Sequence, residues 1–109
     1  MLEKIKYIKF IPNFWKTIAN DPETLERTWK TLSQIMKKGS LNSLTKEMIY
    51  IAVSMTNSCE YCIRSHTKSA QSKGMSDEML KELIAVVAMA NETNRLVESY
   101  QVQVDDNLK

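Results

Sequence analysis

Residues 44–91 read LTKEMIYIAVSMTNSCEYCIRSHTKSAQSKGMSDEMLKELIAVVAMAN, and the pattern alone draws three helices through them. The first, from Leu44 to about Thr56 with Ser43 as its cap, carries Met48, Ile49, Ile51, Ala52, Val53 and Met55 and leaves almost no polar face. A helix apolar on nearly all sides belongs in the middle of a domain. Asn57-Ser58 breaks the run, and Ser58 is the natural N-cap of a second helix from Cys59 to about Lys73, stopped by Gly74. Ser76 caps the third, with Asp77 and Glu78 at its positive end and Leu80, Leu83, Ile84, Val87 and Ala88 as its buried stripe.

Working outward, Asn20-Asp21-Pro22 supplies a break, a cap and a first-turn proline. It separates a short helix within Ile11 to Asn20, opened by Pro12, from a longer one whose Leu25, Trp29, Leu32 and Met36 recur at helical spacing before Gly39. Beyond the quoted stretch, Glu92 to about Gln103 holds Leu96, Val97 and Tyr100 and then frays into a polar tail. With two Gly and two Pro in 109 residues, and no repeat, linker or low-complexity tract, the chain reads as one all-α domain. The expectation is a single-domain helical bundle of about five to six helices over residues 1–109. Trp15 and Trp29 read as packing or subunit contact, and the methionines, Met48, Met55, Met79 and Met89 among them, as flexible core filler.

Composition narrows the function. Fifteen basic against thirteen acidic residues give a net charge of +2, too small to suggest nucleic acid. Arg27, Lys30, Lys37 and Lys38 interleave with Trp29, Leu32 and Ile35 as a solvated helix face would. MLEKIKYIKFIPNFW has charges inside its apolar stretch and no small-residue cleavage pattern, so it does not read as a leader. No window approaches the roughly 18 apolar residues of a membrane span. Two cysteines do not make the disulfide framework of a small secreted domain, so a reducing cytoplasm is the expected setting.

The chemistry lies in Glu47, Cys59, Cys62 and His66, the last being the only histidine. Cysteine attacks as its thiolate, and a free thiol is mostly protonated at neutral pH, so its surroundings must stabilise the charge. The start of the second quoted helix offers unpaired amides and a favourable dipole to both cysteines. Cys62 and His66 are i and i+4, with about 5–6 Å between Cβ atoms, whereas Cys59 lies about 10 Å along the axis from His66. His66 therefore serves Cys62. A basic imidazole needs an orienting partner, and Glu47, sharing a face with Ile51 and Met55, is the acidic residue inside an otherwise buried helix. The i, i+3 cysteines can close a disulfide if the first turn relaxes, so one thiolate can attack and the other resolve the product.

The run Glu47, eleven residues, Cys59-Glu60-Tyr61-Cys62, three residues, His66 resembles the signature of the alkyl hydroperoxidase D-like branch of the carboxymuconolactone decarboxylase superfamily. The resemblance spans about Leu41 to Glu98. It implies an all-α oligomer, a homotrimer or homohexamer, that reduces organic hydroperoxides or a partner protein's disulfide. The electron donor it implies is a dithiol, lipoyl or thioredoxin-like, with no metal and no bound cofactor. By the same resemblance Cys62 would form the sulfenic acid, Cys59 would be proton donor and resolving thiol, His66 the base, and Glu47 the end of the relay through a water. Some of these hydroperoxidases carry histidine just before the second cysteine where this chain has Tyr61. Decarboxylase members are not expected to carry the cysteine pair.

Other readings predict different behaviour. The cysteines can be buried as small hydrophobes. Glu47, Cys59, Cys62 and His66 can be the four ligands of a zinc-binding module, although structural zinc rarely takes a carboxylate. The chain can also be a scaffold that keeps the fold without the redox chemistry. Covalent haem attachment is excluded because Ile63, not histidine, follows Cys62.

Overall fold

A computed structural model describes residues 11–109; residues 1–10, which hold most of the stretch read above for a leader, lie outside the described residues. Within 11–109 the secondary structure is entirely helical, and the chain divides into two compact units, Met1–Ser40 and Leu41–Lys109.

In the first unit α1 spans Asn13–Ile18 and α2 spans Pro22–Ile35. Pro12 stands at the N-cap of α1, so this helix is shorter at both ends than the spacing predicts. Asp21 caps α2 as expected: its carboxylate accepts the Thr24 amide at 3.4 Å and the Thr24 hydroxyl at 2.7 Å, with Pro22 opening the first turn. Those bonds, the hydroxyl's first, hold the Asp21 carboxyl below its ordinary value. Trp15 and Trp29 pack on each other edge to face, 4.9 Å between centroids, and join the two helices.

The second unit contains α3 (Ser43–Thr56), α4 (Glu60–Ser72), α5 (Asp77–Ser99) and a 3-10 turn at Asp106–Leu108. Its core is Ile51, Ala70, Met75 and Leu83, surrounded by Leu44, Met48, Met55, Met79, Leu80 and Val87. Met48, Met55 and Met79 are thus core filler, whereas Met89 is exposed. Asn42, not Ser43, caps α3, because its side chain reaches the Thr45 amide at 2.8 Å. Ser76 and Met79 close a reciprocal cap on α5.

Two expectations are corrected here. Helix α3 is not wrapped on all sides: α4 and α5 cover the stripe of Glu47, Ile51 and Ser54, while Ile49 and Val53, 48% and 54% exposed, face outward. The fifth and sixth expected helices are one. The segment expected to begin at Glu92 continues the helix before it, and the Asn91 side chain at the junction donates to the Val87 carbonyl at 2.9 Å and to the Thr56 hydroxyl at 3.2 Å, tying a continuous α5 to α3. Along α5 and its C-cap, Val86, Met89, Val97 and Tyr100 are left apolar and open.

All three long helices of this unit end in the same way. Ser58, Gly74 and Gln101 adopt positive φ after α3, α4 and α5, and the next residue's amide turns back to the helix: Cys59 to Ser54, Met75 to Ala70, Val102 to Val97, at 2.9, 3.0 and 3.0 Å. This motif puts Met75 into the core and Cys59 where the site needs it.

Candidate active site

Ser58 does not cap α4. Its backbone, at φ 56°, completes the C-terminal turn of α3, and the cap falls to Cys59, whose Sγ accepts the Cys62 amide at 3.4 Å. The break and the cap, which the sequence reading put on one residue, are divided between two. Cys62 is consequently the third residue of α4.

The sulfurs are unequal. A hydrogen bond from the Cys62 thiol, joined by one from the Cys62 amide, holds the Cys59 thiol below its ordinary value. The same bond to Cys59, then burial and the negative charge on Cys59, push the Cys62 thiol up. Because the two share a hydrogen bond they titrate as a pair, and of the two Cys59 is the one more readily deprotonated. The resemblance implies attack by Cys62; the electrostatics favour the neighbour at the cap. Both cysteines are free and partly accessible.

One turn beyond Cys62, His66 Nδ1 lies 2.7 Å from Glu47 Oε2, with the side chains 16% and 5% exposed. Burial pushes the Glu47 carboxyl up, but the hydrogen bonds from His66 and Lys73 outweigh it and hold the group below its ordinary value. An ionised carboxylate only accepts, so Nδ1 carries the hydrogen, and in the neutral imidazole that leaves the lone pair on Nε2. The contact is direct, and at 2.7 Å no water fits between the two groups, which corrects the relay through a water. Glu47 is in the second turn of α3, too deep to be a charge settled on the helix end.

Two further residues complete the constellation. Lys73 Nζ donates to the other Glu47 oxygen at 3.0 Å and to Ser69 Oγ at 3.1 Å. Tyr50 stacks on the His66 ring, 3.7 Å between centroids at 24°. Burial, then the nearby thiols and Glu47, push its phenol up and keep it neutral. Helix spacing puts Tyr50 one turn from Glu47 and Lys73 two turns from His66, but neither spacing by itself marks the residue out. Tyr61 is 45% exposed. Among the described residues no three His, Cys, Asp or Glu side chains gather closely enough to hold a metal ion, so the four-ligand arrangement is not formed.

The sequence pattern of the Carboxymuconolactone decarboxylase family matches residues 22–104, which include every residue of this site. The chain belongs to that family. Among solved structures, the alkylhydroperoxidase AhpD core from Rhodospirillum rubrum superposes with a TM-score of 0.90 at 42% identity, over 98% of this chain and 79% of that one. The all-α fold is therefore alkyl hydroperoxidase D-like. Two curated proteins are similar in sequence: uncharacterized protein 4 in the cox locus of Paracoccus denitrificans, 32% identical over 60% of each chain, and the uncharacterized protein YdfG of Bacillus subtilis, 26% identical over 73% of this chain and 47% of its own length. The chain thus spans only about half to three fifths of those relatives. No helix among the described residues is long and apolar enough to cross a membrane.

Proposed function

We propose that this chain is a thiol peroxidase that reduces organic hydroperoxides through a Cys59–Cys62 dithiol cycle. The observation that carries the reading is the cap: a cysteine at a helix N-terminus, receiving the amide of the second cysteine, with a carboxylate-oriented imidazole one turn further on. A thiolate is stabilised at such a place.

The Cys59 thiolate attacks the terminal oxygen of the O–O bond; a sulfenic acid forms, and the departing alkoxide takes a proton from water to become the alcohol. Cys62 then attacks the Cys59 sulfur. Its thiol proton passes to His66 Nε2 and from there to the leaving hydroxide, so one disulfide and one water result. Glu47 holds the imidazole in the tautomer that can accept. A dithiol donor, lipoyl or thioredoxin-like, returns the pair to the thiol state by two exchange steps. In this reading the protein works in a reducing cytoplasm as a homotrimer or homohexamer, its open apolar faces on α3 and α5 buried between copies.

The test is coupled turnover across several organic hydroperoxides and dithiol donors. Wild type consumes peroxide with one alcohol formed per disulfide, Cys59→Ser abolishes the reaction, and Cys62→Ser stops at the sulfenic acid. Full activity in Cys59→Ser would remove the assignment of the attacking sulfur, and full activity in the double variant the whole reading. One tightly held zinc per chain with unreactive thiols would support the metal-binding module instead.

A further inference from the structure

We propose that Lys73 is a positioning residue that pins Glu47 and offsets its negative charge beside the His66 imidazole. Mechanistically this rests on the redox reading above, but its geometry stands apart from it. The ammonium bridges Glu47 Oε1 and Ser69 Oγ, while Glu47 Oε2 holds His66 Nδ1. One carboxylate therefore spends one oxygen on the lysine and the other on the imidazole.

A long lysine side chain is usually a poor anchor because it has many rotamers to lose. Here three features limit that loss. Ser69, one turn earlier, receives the ammonium, and Lys73 is the last residue before the turn made by Gly74 at φ 106°. Its side chain is 38% exposed, beside a carboxylate only 5% exposed. The cation thus closes the solvent side of a buried anion.

The charges facing His66 fix the consequence. From α3 come Glu47 and the neutral phenol of Tyr50; from α4 and its two caps come the Cys59–Cys62 thiol pair and Lys73. With Lys73 present, the Glu47–Lys73–His66 group is neutral when the imidazole is neutral. Without it, the group is one charge more negative and attracts a proton onto Nε2, the atom that must accept the Cys62 proton.

The test uses Lys73→Met, which keeps the apolar stem, and Lys73→Arg, which keeps the charge. His66 is the only histidine, so its imidazole signals can be followed against pH by NMR without ambiguity. In Lys73→Met the midpoint of those signals moves up by about one pH unit, and the acid limb of the peroxide-reduction profile moves with it. Lys73→Arg restores both. A midpoint in Lys73→Met that superposes on wild type overturns the proposal, as does an equal shift in Lys73→Arg. The NMR arm needs no turnover: an inactive wild type would sink the peroxidase reading and leave the balancing role of Lys73 to be decided by the imidazole signals.

Discussion

Replacing Glu47 with glutamine keeps the shape of the side chain and removes its charge, which separates the two things this residue does. The hydrogen bond to His66 joins side chains 5% and 16% exposed, and a charged, buried bond of that kind is worth about 1.5–3 kcal/mol. The pair with Lys73, whose side chain is 38% exposed, is screened and adds at most about 1 kcal/mol. Glu47→Gln is therefore expected to lose about 1.5–4 kcal/mol of stability, read from urea unfolding. The chemical effect is larger. If the glutamine carbonyl accepts from Lys73, its amide NH2 points at Nδ1, and that nitrogen must become an acceptor. The imidazole then carries its hydrogen on Nε2 and has no lone pair for Cys62. Loss of a positioned general base lowers the rate by about 10²–10⁴-fold. Stopped-flow formation of the Cys59–Cys62 disulfide after one equivalent of an organic hydroperoxide measures it, because His66 acts in that resolving step. A rate within twofold of wild type in a folded variant would refute the argument that Glu47 sets the tautomer.

Because the Glu47 carboxyl titrates below its ordinary value, its contribution to stability is complete above the unfolded value of about 4.3 and is lost as pH falls through the folded one. Urea midpoints of wild type should fall below pH 4–5 more steeply than those of Glu47→Gln. At Gly74 an added Cβ would meet nothing within 4 Å, so Gly74→Ala costs only the conformational strain of φ 106°, about 1–2 kcal/mol in thermal unfolding. Ser58→Gly relieves the same kind of strain at φ 56° and should stabilise the protein by about 0.5–1 kcal/mol, net of the greater freedom of glycine when unfolded. In sedimentation, wild type should run as three or six chains, and Val86→Lys, placing a charge on the open face of α5, should lower the mass toward one chain.

The quoted 48 residues disclosed most of the fold because their apolar spacing, Gly74 and the Ser76 cap act locally. The errors lie where a local signal has two uses. Ser58 and Cys59 are both polar enough to cap, and only the left-handed turn after α3 decides between them. Asn91, just before the segment expected to begin at Glu92, is a brace inside one continuous helix, which depends on the hydroxyl of Thr56 across the interface. The pairing of Glu47 with His66 was legible from helix faces, since an acid sharing the buried face of Ile51 needs a partner. Lys73 was passed over as a helix end. Its role appears only when α4 is laid against α3, because nothing in its own turn marks it out from Lys68.

The most direct test of the redox pair is a single turnover. Fully reduced protein is mixed with one equivalent of an organic hydroperoxide without any electron donor, quenched with an alkylating agent, and digested for mass spectrometry. The cycle proposed here yields a Cys59–Cys62 disulfide and one equivalent of alcohol, with the sulfenic acid trapped on Cys59 when Cys62 is serine. Both thiols recovered as alkylated cysteines, with the hydroperoxide intact, would contradict it.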